Sequence, residues 1–146
     1  MSRRVFFSFH YKHIFKVNQI RNIPNITGST SAGFQDASLW ESSKGKPETI
    51  KRLIREGLQN TSVTVVFVTY GIQNREYINY EIDQSLSRGN GLVAIQIHHL
   101  KDPNNNDDRV GGIPSKVTDN GFKAFKYTNN TALAKHIEEA AQLAGK

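Results

Sequence analysis

Tyr77, Glu81 and Ser85 are spaced i, i+4 and i+8 in "NREYINYEIDQS", which follows the apolar run "SVTVVFVTYG". If the segment is helical, the three side chains share one face: an aromatic ring, a carboxylate and a hydroxyl. On a solvated helix such a carboxylate does nothing special, because Glu is seldom buried without a partner. In the second turn of a helix that opens at a ligand-binding edge it becomes a candidate site residue, with the tyrosine walling off part of a pocket. Tyr77 and the nearby Tyr80 are equally compatible with ordinary packing against a sheet or a neighbouring helix. Other chemistry has less support. The chain has no G-x-G-x-x-G, no phosphate-cradling G-x-x-x-x-G-K-[ST], no H-E-x-x-H and no G-x-S-x-G turn to support a Ser–His–Asp arrangement. His98 and His99 are adjacent, and neighbours in an extended segment point to opposite faces, so the expectation is that no metal is bound.

The elements that must position these residues follow from the pattern. Arg4–His10 is aromatic and β-branched and reads as a first strand. Tyr11–Asn22 is a helix candidate with Ile14, Val17 and Ile20 on its apolar side. Asn22–Asp36, "NIPNITGSTSAGFQD", is dense in turn-forming residues and reads as a long loop, of a length that is usually functional. "GFQDASLW" can hold a short second strand. Pro47 opens a helix carrying Ile50, Leu53, Ile54 and Leu58. Val63–Thr69 is the strongest strand, and the helix Arg75–Arg88 follows, with Asn74 as expected cap and Gly89 as its stop. Leu92–Ile97 is another buried-type strand, Asp102–Gly121 a polar loop, Phe122–Tyr127 a last strand, and Asn130 the expected cap of a final helix with Leu133, Ile137, Ala140 and Ala144. Alternating strands and helices, with near-continuous apolar strands, predict a doubly wound α/β fold around about five parallel strands. Ligands in such sheets sit beyond the carboxyl ends of the strands. Both the start of the Glu81 helix and the residues Ser8, Phe9 and His10 lie at that edge.

Bulk composition narrows the function classes. A chain of 146 residues, 37% apolar, suits one domain spanning 1–146. There is no cysteine, which excludes disulfides and thiolate metal sites and fits a reducing cytoplasm. No apolar window reaches membrane-spanning length, and "MSRRVFFSFHYK" does not read as a signal peptide, so no membrane partner is expected. The net charge of +6 suits an anionic partner such as nucleic acid or a phosphate-bearing small molecule. It equally suits a merely basic surface, and the scattered Lys and Arg residues give no nucleic-acid-binding block.

Taken in order, "RVFFSFHY", "DASLW" (Asp36–Trp40), "NTSVT" (Asn60–Thr64) and "VTVVFVTYGIQNREYINYEIDQSL" resemble TIR domains, most closely the TIR-like proteins of bacterial Thoeris antiphage systems. The resemblance covers most of the chain up to about Ile97. Tyr77 and Glu81 occupy the two places of the aromatic–x–x–x–Glu motif, and Ser8 and Phe9 the Ser–aromatic end of the first strand. The resemblance implies a flavodoxin-like, three-layer sandwich around a mostly parallel five-stranded sheet. It implies an enzyme that breaks the nicotinamide–ribose bond of NAD and makes a cyclic ADP-ribose-type signal read by a separate effector. NAD would be substrate, with no resident cofactor. Glu81 becomes the catalytic candidate, and Ser8, Phe9, Asp36, Trp40 and Tyr77 the candidates for the pocket wall. The Asn22–Asp36 loop falls where TIR domains gate the site or self-associate. Each wall residue has an ordinary alternative: Trp40 as core, Asp36 as a cap or turn residue, Ser8 as a satisfier of backbone groups. The chain departs from the pattern in having Tyr77 where many TIR enzymes have Trp, and in a short, loop-like region after Ile97.

One carboxylate suffices for this chemistry. Ordinary glycosidases need a second acid to protonate the departing oxygen. The pyridinium of NAD departs as neutral nicotinamide, so what remains is to stabilise an oxocarbenium-like ribose. If water is excluded, an internal nucleophile closes a ring; if water enters, ADP-ribose forms. Arg75, or backbone N–H groups at a helix start, can hold the pyrophosphate, although a first-turn Arg is more simply an exposed cation. Two other readings compete: a non-enzymatic TIR-like interaction module, and a response-regulator-like domain. The second lacks the acidic cluster that such a phosphoacceptor site needs at the end of strand one.

Overall fold

The computed structural model describes residues 4–21, 46–102 and 109–146. Four strands, β1 (Val5–Ser8), β2 (Val63–Val68), β3 (Gly91–Gln96) and β4 (Lys123–Lys126), form one sheet in the order β1-β2-β3-β4, every pair parallel. The expected fifth strand, within "GFQDASLW", lies outside the described residues, as does the Asn22–Asp36 loop. Among the described residues five α-helices accompany the strands: α1 (Ile14–Arg21), entered through a 3₁₀ turn at Tyr11–His13, α2 (Pro47–Leu58), α3 (Glu76–Ser87), with a second 3₁₀ turn, Ile72–Asn74, leading into it, α4 (Ser115–Asp119) and α5 (Asn130–Leu143).

The apolar runs are explained by burial on both faces. Alternation sends Val5, Phe7, Val63, Val65, Val93 and Ile95 to one side, where they pack with Val17 and Ile20 of α1 and Leu133 and Ile137 of α5. Val66, Val68, Leu92 and Ala94 point to the other side and meet Ile78 and Ile82 of α3 and Val117 of α4. Phe6 joins that second side against Ile50, Ile54 and Leu58 of α2. The arrangement is the expected helix–sheet–helix sandwich. β4 is different: Lys123 and Lys126 are exposed, as suits a strand that among the described residues is bonded to β3 alone.

Several boundaries move by a residue or two for identifiable reasons. α3 is capped by Arg75, not Asn74, because Ile72–Asn74 is taken up by the 3₁₀ turn. α5 is capped by Asn129, not Asn130, its side chain accepting from the Ala132 N–H at 2.8 Å. Gly89 ends α3 as expected. At φ +74° it lets its own N–H reach the Leu86 carbonyl and the Asn90 N–H reach that of Ser85, the paired bonds of a Schellman stop. The Asp102–Gly121 stretch is not wholly loop, since it contains α4. Among the described residues no helix is long and apolar enough to cross a membrane.

Candidate functional site

The last residue of β1 and the second turn of α3 meet on the α2–α3 side of the sheet. Ser8 follows Phe6 by two positions and therefore shares its face. Its hydroxyl donates to Glu81 Oε1 at 2.8 Å, and both residues are buried, Glu81 at 1% exposure. One turn further on, the Ser85 hydroxyl donates back to the Glu81 backbone carbonyl at 2.7 Å and lies 2.6 Å from the Thr64 hydroxyl of β2. Since Ser85 has a single hydroxyl proton and spends it on Glu81, Thr64 is the donor in that pair. The result is a polar seam between sheet and helix, in which Ser8 replaces water at the carboxylate, whose desolvation would otherwise be costly, and Thr64 and Ser85 satisfy each other and the Glu81 backbone carbonyl. Glu81 and Ser85 are thus inside for one shared reason.

Tyr77 takes part differently. It is partly buried, packed on the cluster of Phe6, Ile50, Ile54 and Leu58 next to Tyr80. It also borders a recess of about 250 Å³ with Asn74, Arg75 and Glu76. Tyr80 is tied away from the seam, its hydroxyl accepting from Arg55 at 2.7 Å. Phe9 is not brought to Glu81. It is buried with Phe7 and Phe67 in the core cluster on the α1–α5 side. Asp36 and Trp40 lie outside the described residues.

Beyond the carboxyl ends of β1 and β2 lies a cavity of about 370 Å³. His10, Lys12 and His13 line it from the exit of β1, Thr69–Ile72 from the exit of β2, Arg75 from the start of α3 and Arg109 from the connection after β3. Glu81 does not line it; the two features are joined through the chain, by Ser8–His10 and by Arg75–Glu81. His10 is held well below its ordinary value, at about 4, first by burial and then by the charges of Arg75, His13 and Lys12. The cavity lies at the strand tips, and two of its contributors, His13 and Arg109, carried no signal in the sequence. Thr64 did carry one, as the polar residue inside an otherwise apolar strand. His98 is buried and His99 exposed, and among the described residues no three His, Cys, Asp or Glu side chains are grouped to hold a metal ion.

Comparison with known proteins agrees with this architecture. The family model of the Thoeris protein ThsB, TIR-like domain, matches residues 6–102, which includes Ser8, Tyr77 and Glu81 and stops short of Arg109. A protein of Bacillus cereus (strain MSX-D12), described as "Putative cyclic ADP-D-ribose synthase ThsB1", is 43% identical over 121 residues. That match takes in 80% of this chain and 59% of the relative, so the chain spans a little over half the length of the curated protein it matches. By sequence motif, by sheet order and by the extent of the family match, the chain belongs to the TIR-like domain family of the Thoeris protein ThsB.

Proposed function

We propose that the protein is an NAD-consuming enzyme that cleaves the nicotinamide–ribose bond and closes the remainder into a cyclic ADP-ribose-type signal for Thoeris antiphage defence, acting in the cytoplasm. The observation that carries this reading is the buried Glu81 carboxylate, oriented by the Ser8 hydroxyl at 2.8 Å. A carboxylate fixed in a water-poor seam has little reorganisation left to undergo when positive charge develops on a ribose nearby, and its field is weakly screened there. The other features fit the same chemistry. Tyr77 offers a ring to stack on nicotinamide or adenine at the rim. Asp36 and Trp40 are assigned to the remaining wall, and Phe9 to the support of β1. Self-association through the Asn22–Asp36 loop, and a separate effector reading the product, complete the proposal. The relative's description as a cyclic ADP-D-ribose synthase supports the substrate and the product class.

One observation favours a second reading. The Ser8–Glu81 bond also ties α3 to β1, which a non-enzymatic interaction module would find sufficient. The experiment that separates the two is incubation of the protein with NAD, alone and with extract of phage-infected cells, followed by separation and mass analysis of the nucleotides. The enzymatic reading expects free nicotinamide with an equal amount of a cyclic ADP-ribose isomer. NAD left intact under both conditions overturns it in favour of the interaction module.

A further inference from the structure

The cavity beyond β1 and β2 gathers basic side chains from three separate segments: His10, Lys12 and His13, then Arg75, then Arg109. Its far wall is built by a part of the chain that the family match does not reach. There the Arg109 guanidinium lies 3.8 Å over the centre of the Tyr70 ring. Gly111 presses the same segment onto the exit of β2: a Cβ on Gly111 would stand 2.1 Å from the Thr69 carbonyl oxygen, so only glycine allows the approach. Gly112 backs onto the Gln73 side chain, where a Cβ would lie 2.8 Å from Nε2, but that amide is the end of a flexible side chain and Gly111 is the position fixed by backbone. The β3–α4 connection is thus held against the β2–α3 turn, and Arg109 faces the same space as Arg75.

We propose that this cavity is an anion subsite that takes a diphosphate group, with Arg75 and Arg109 as its principal contacts. Two guanidinium groups match phosphate oxygens by their fork geometry, whereas a single carboxylate would need only one of them. Arg75 caps the twelve-residue helix α3, so the dipole of that helix adds to the attraction. A volume of about 370 Å³ is at the small end for ligand pockets and suits part of a dinucleotide. Arg75 precedes Glu81 by six positions, about 9 Å along a helix axis. A diphosphate held at Arg75 therefore directs an attached ribose along α3 toward the carboxylate. In naming NAD as the source of the diphosphate, the assignment rests on the enzymatic reading above; as an anion site it does not. The burial of His10 beside Arg75, His13 and Lys12 adds a spectroscopic handle, because an anion entering the cavity offsets those charges.

Titration with inorganic pyrophosphate, followed by the imidazole resonances of His10 and His13, tests the site directly. Saturable binding is expected, with the His10 pKa climbing from about 4 toward the ordinary imidazole value of about 6.5. Arg75→Gln and Arg109→Gln should each weaken pyrophosphate by about tenfold or more, the effect of one charge-assisted hydrogen bond. Gly111→Ala, which alters no charge, should weaken it too by lifting Arg109 away. Lys135→Gln, on the exposed side of α5, should change nothing. If NAD is cleaved but pyrophosphate does not bind, and the KM for NAD is untouched by Arg75→Gln and Arg109→Gln, the subsite is wrong and the enzymatic reading stands. If pyrophosphate binds with the expected losses and NAD is never cleaved, the subsite stands and the enzymatic reading is wrong.

Discussion

Around Glu81, hydroxyls from β1, β2 and α3 take the place of water in a closed seam. At the tips of β1 and β2, cationic side chains from three segments surround an open space of about 370 Å³. The seam is continuous with the hydrophobic core: Ile78 and Ile82, on the same helix, are buried against β2 and β3. The cavity is assembled from turns and from the start of a helix. The difference teaches that the charge proposed to act on substrate and the charge proposed to hold it are supported by different parts of the fold. Changes in the seam should therefore cost stability and activity together, while changes in the cavity should cost binding with little loss of stability.

The most severe break of this comparison short of removing Glu81 is Ser8→Ala. It strips the carboxylate of its hydroxyl donor and should lower the unfolding free energy by about 2 kcal/mol, read by urea denaturation, and NAD cleavage by about tenfold. Unchanged stability would show that the seam is not the structural unit described. Thr64→Val keeps the shape and removes one hydroxyl, but leaves Ser85 bonded to the Glu81 carbonyl. It should cost about 1 kcal/mol and alter turnover by less than a factor of about two, since the carboxylate itself is untouched. A tenfold loss of turnover would mean that the backbone position of Glu81 depends on β2.

The cavity makes its own prediction through pH. His10 has a folded pKa of about 4 against an ordinary 6.5, so the unfolded chain binds more protons between those values. Stability must then fall as pH drops through that window. Because His136 is also lowered by burial, the informative quantity is the difference between wild type and His10→Gln. That difference should shrink from pH 6.5 toward pH 4.5 in urea titrations, and a flat difference would remove His10 from the cationic cluster. Pyrophosphate should suppress the slope. The smallest effect is expected at Lys116, whose bond to Asp83 at 2.7 Å is solvent-exposed on both sides. Lys116→Gln should change stability by less than about 0.5 kcal/mol, a reference for measurements on the seam.

Much of the seam was legible in the sequence and little of the cavity. Strands such as "VTVVFV" and "GLVAIQ" announce themselves because burial on both faces demands apolar residues in succession. The spacing of Glu81 and Ser85 predicts a shared face, and the ends of β1 and α3 fall together in any doubly wound sheet. The pairing with Ser8 depends on the register of β1 and β2, which local pattern does not fix. Helix ends were misjudged by one residue where a 3₁₀ turn consumed the expected cap at Asn74, and where two adjacent asparagines competed at Asn129 and Asn130. α4 escaped notice because its five residues bury only Val117. Arg109 was illegible for a deeper reason: its place is set by how a polar connection folds back onto Thr69, and no periodicity records that.

Glu81→Gln isolates the carboxylate's charge, because the amide keeps the size of the side chain and can still accept from Ser8. Nicotinamide released from NAD should be measured for both proteins under the condition that activates wild type, with urea denaturation to verify the fold. The expected result is a stable protein whose release of nicotinamide is reduced at least about 100-fold. A folded Glu81→Gln protein that cleaves NAD as fast as wild type would contradict it.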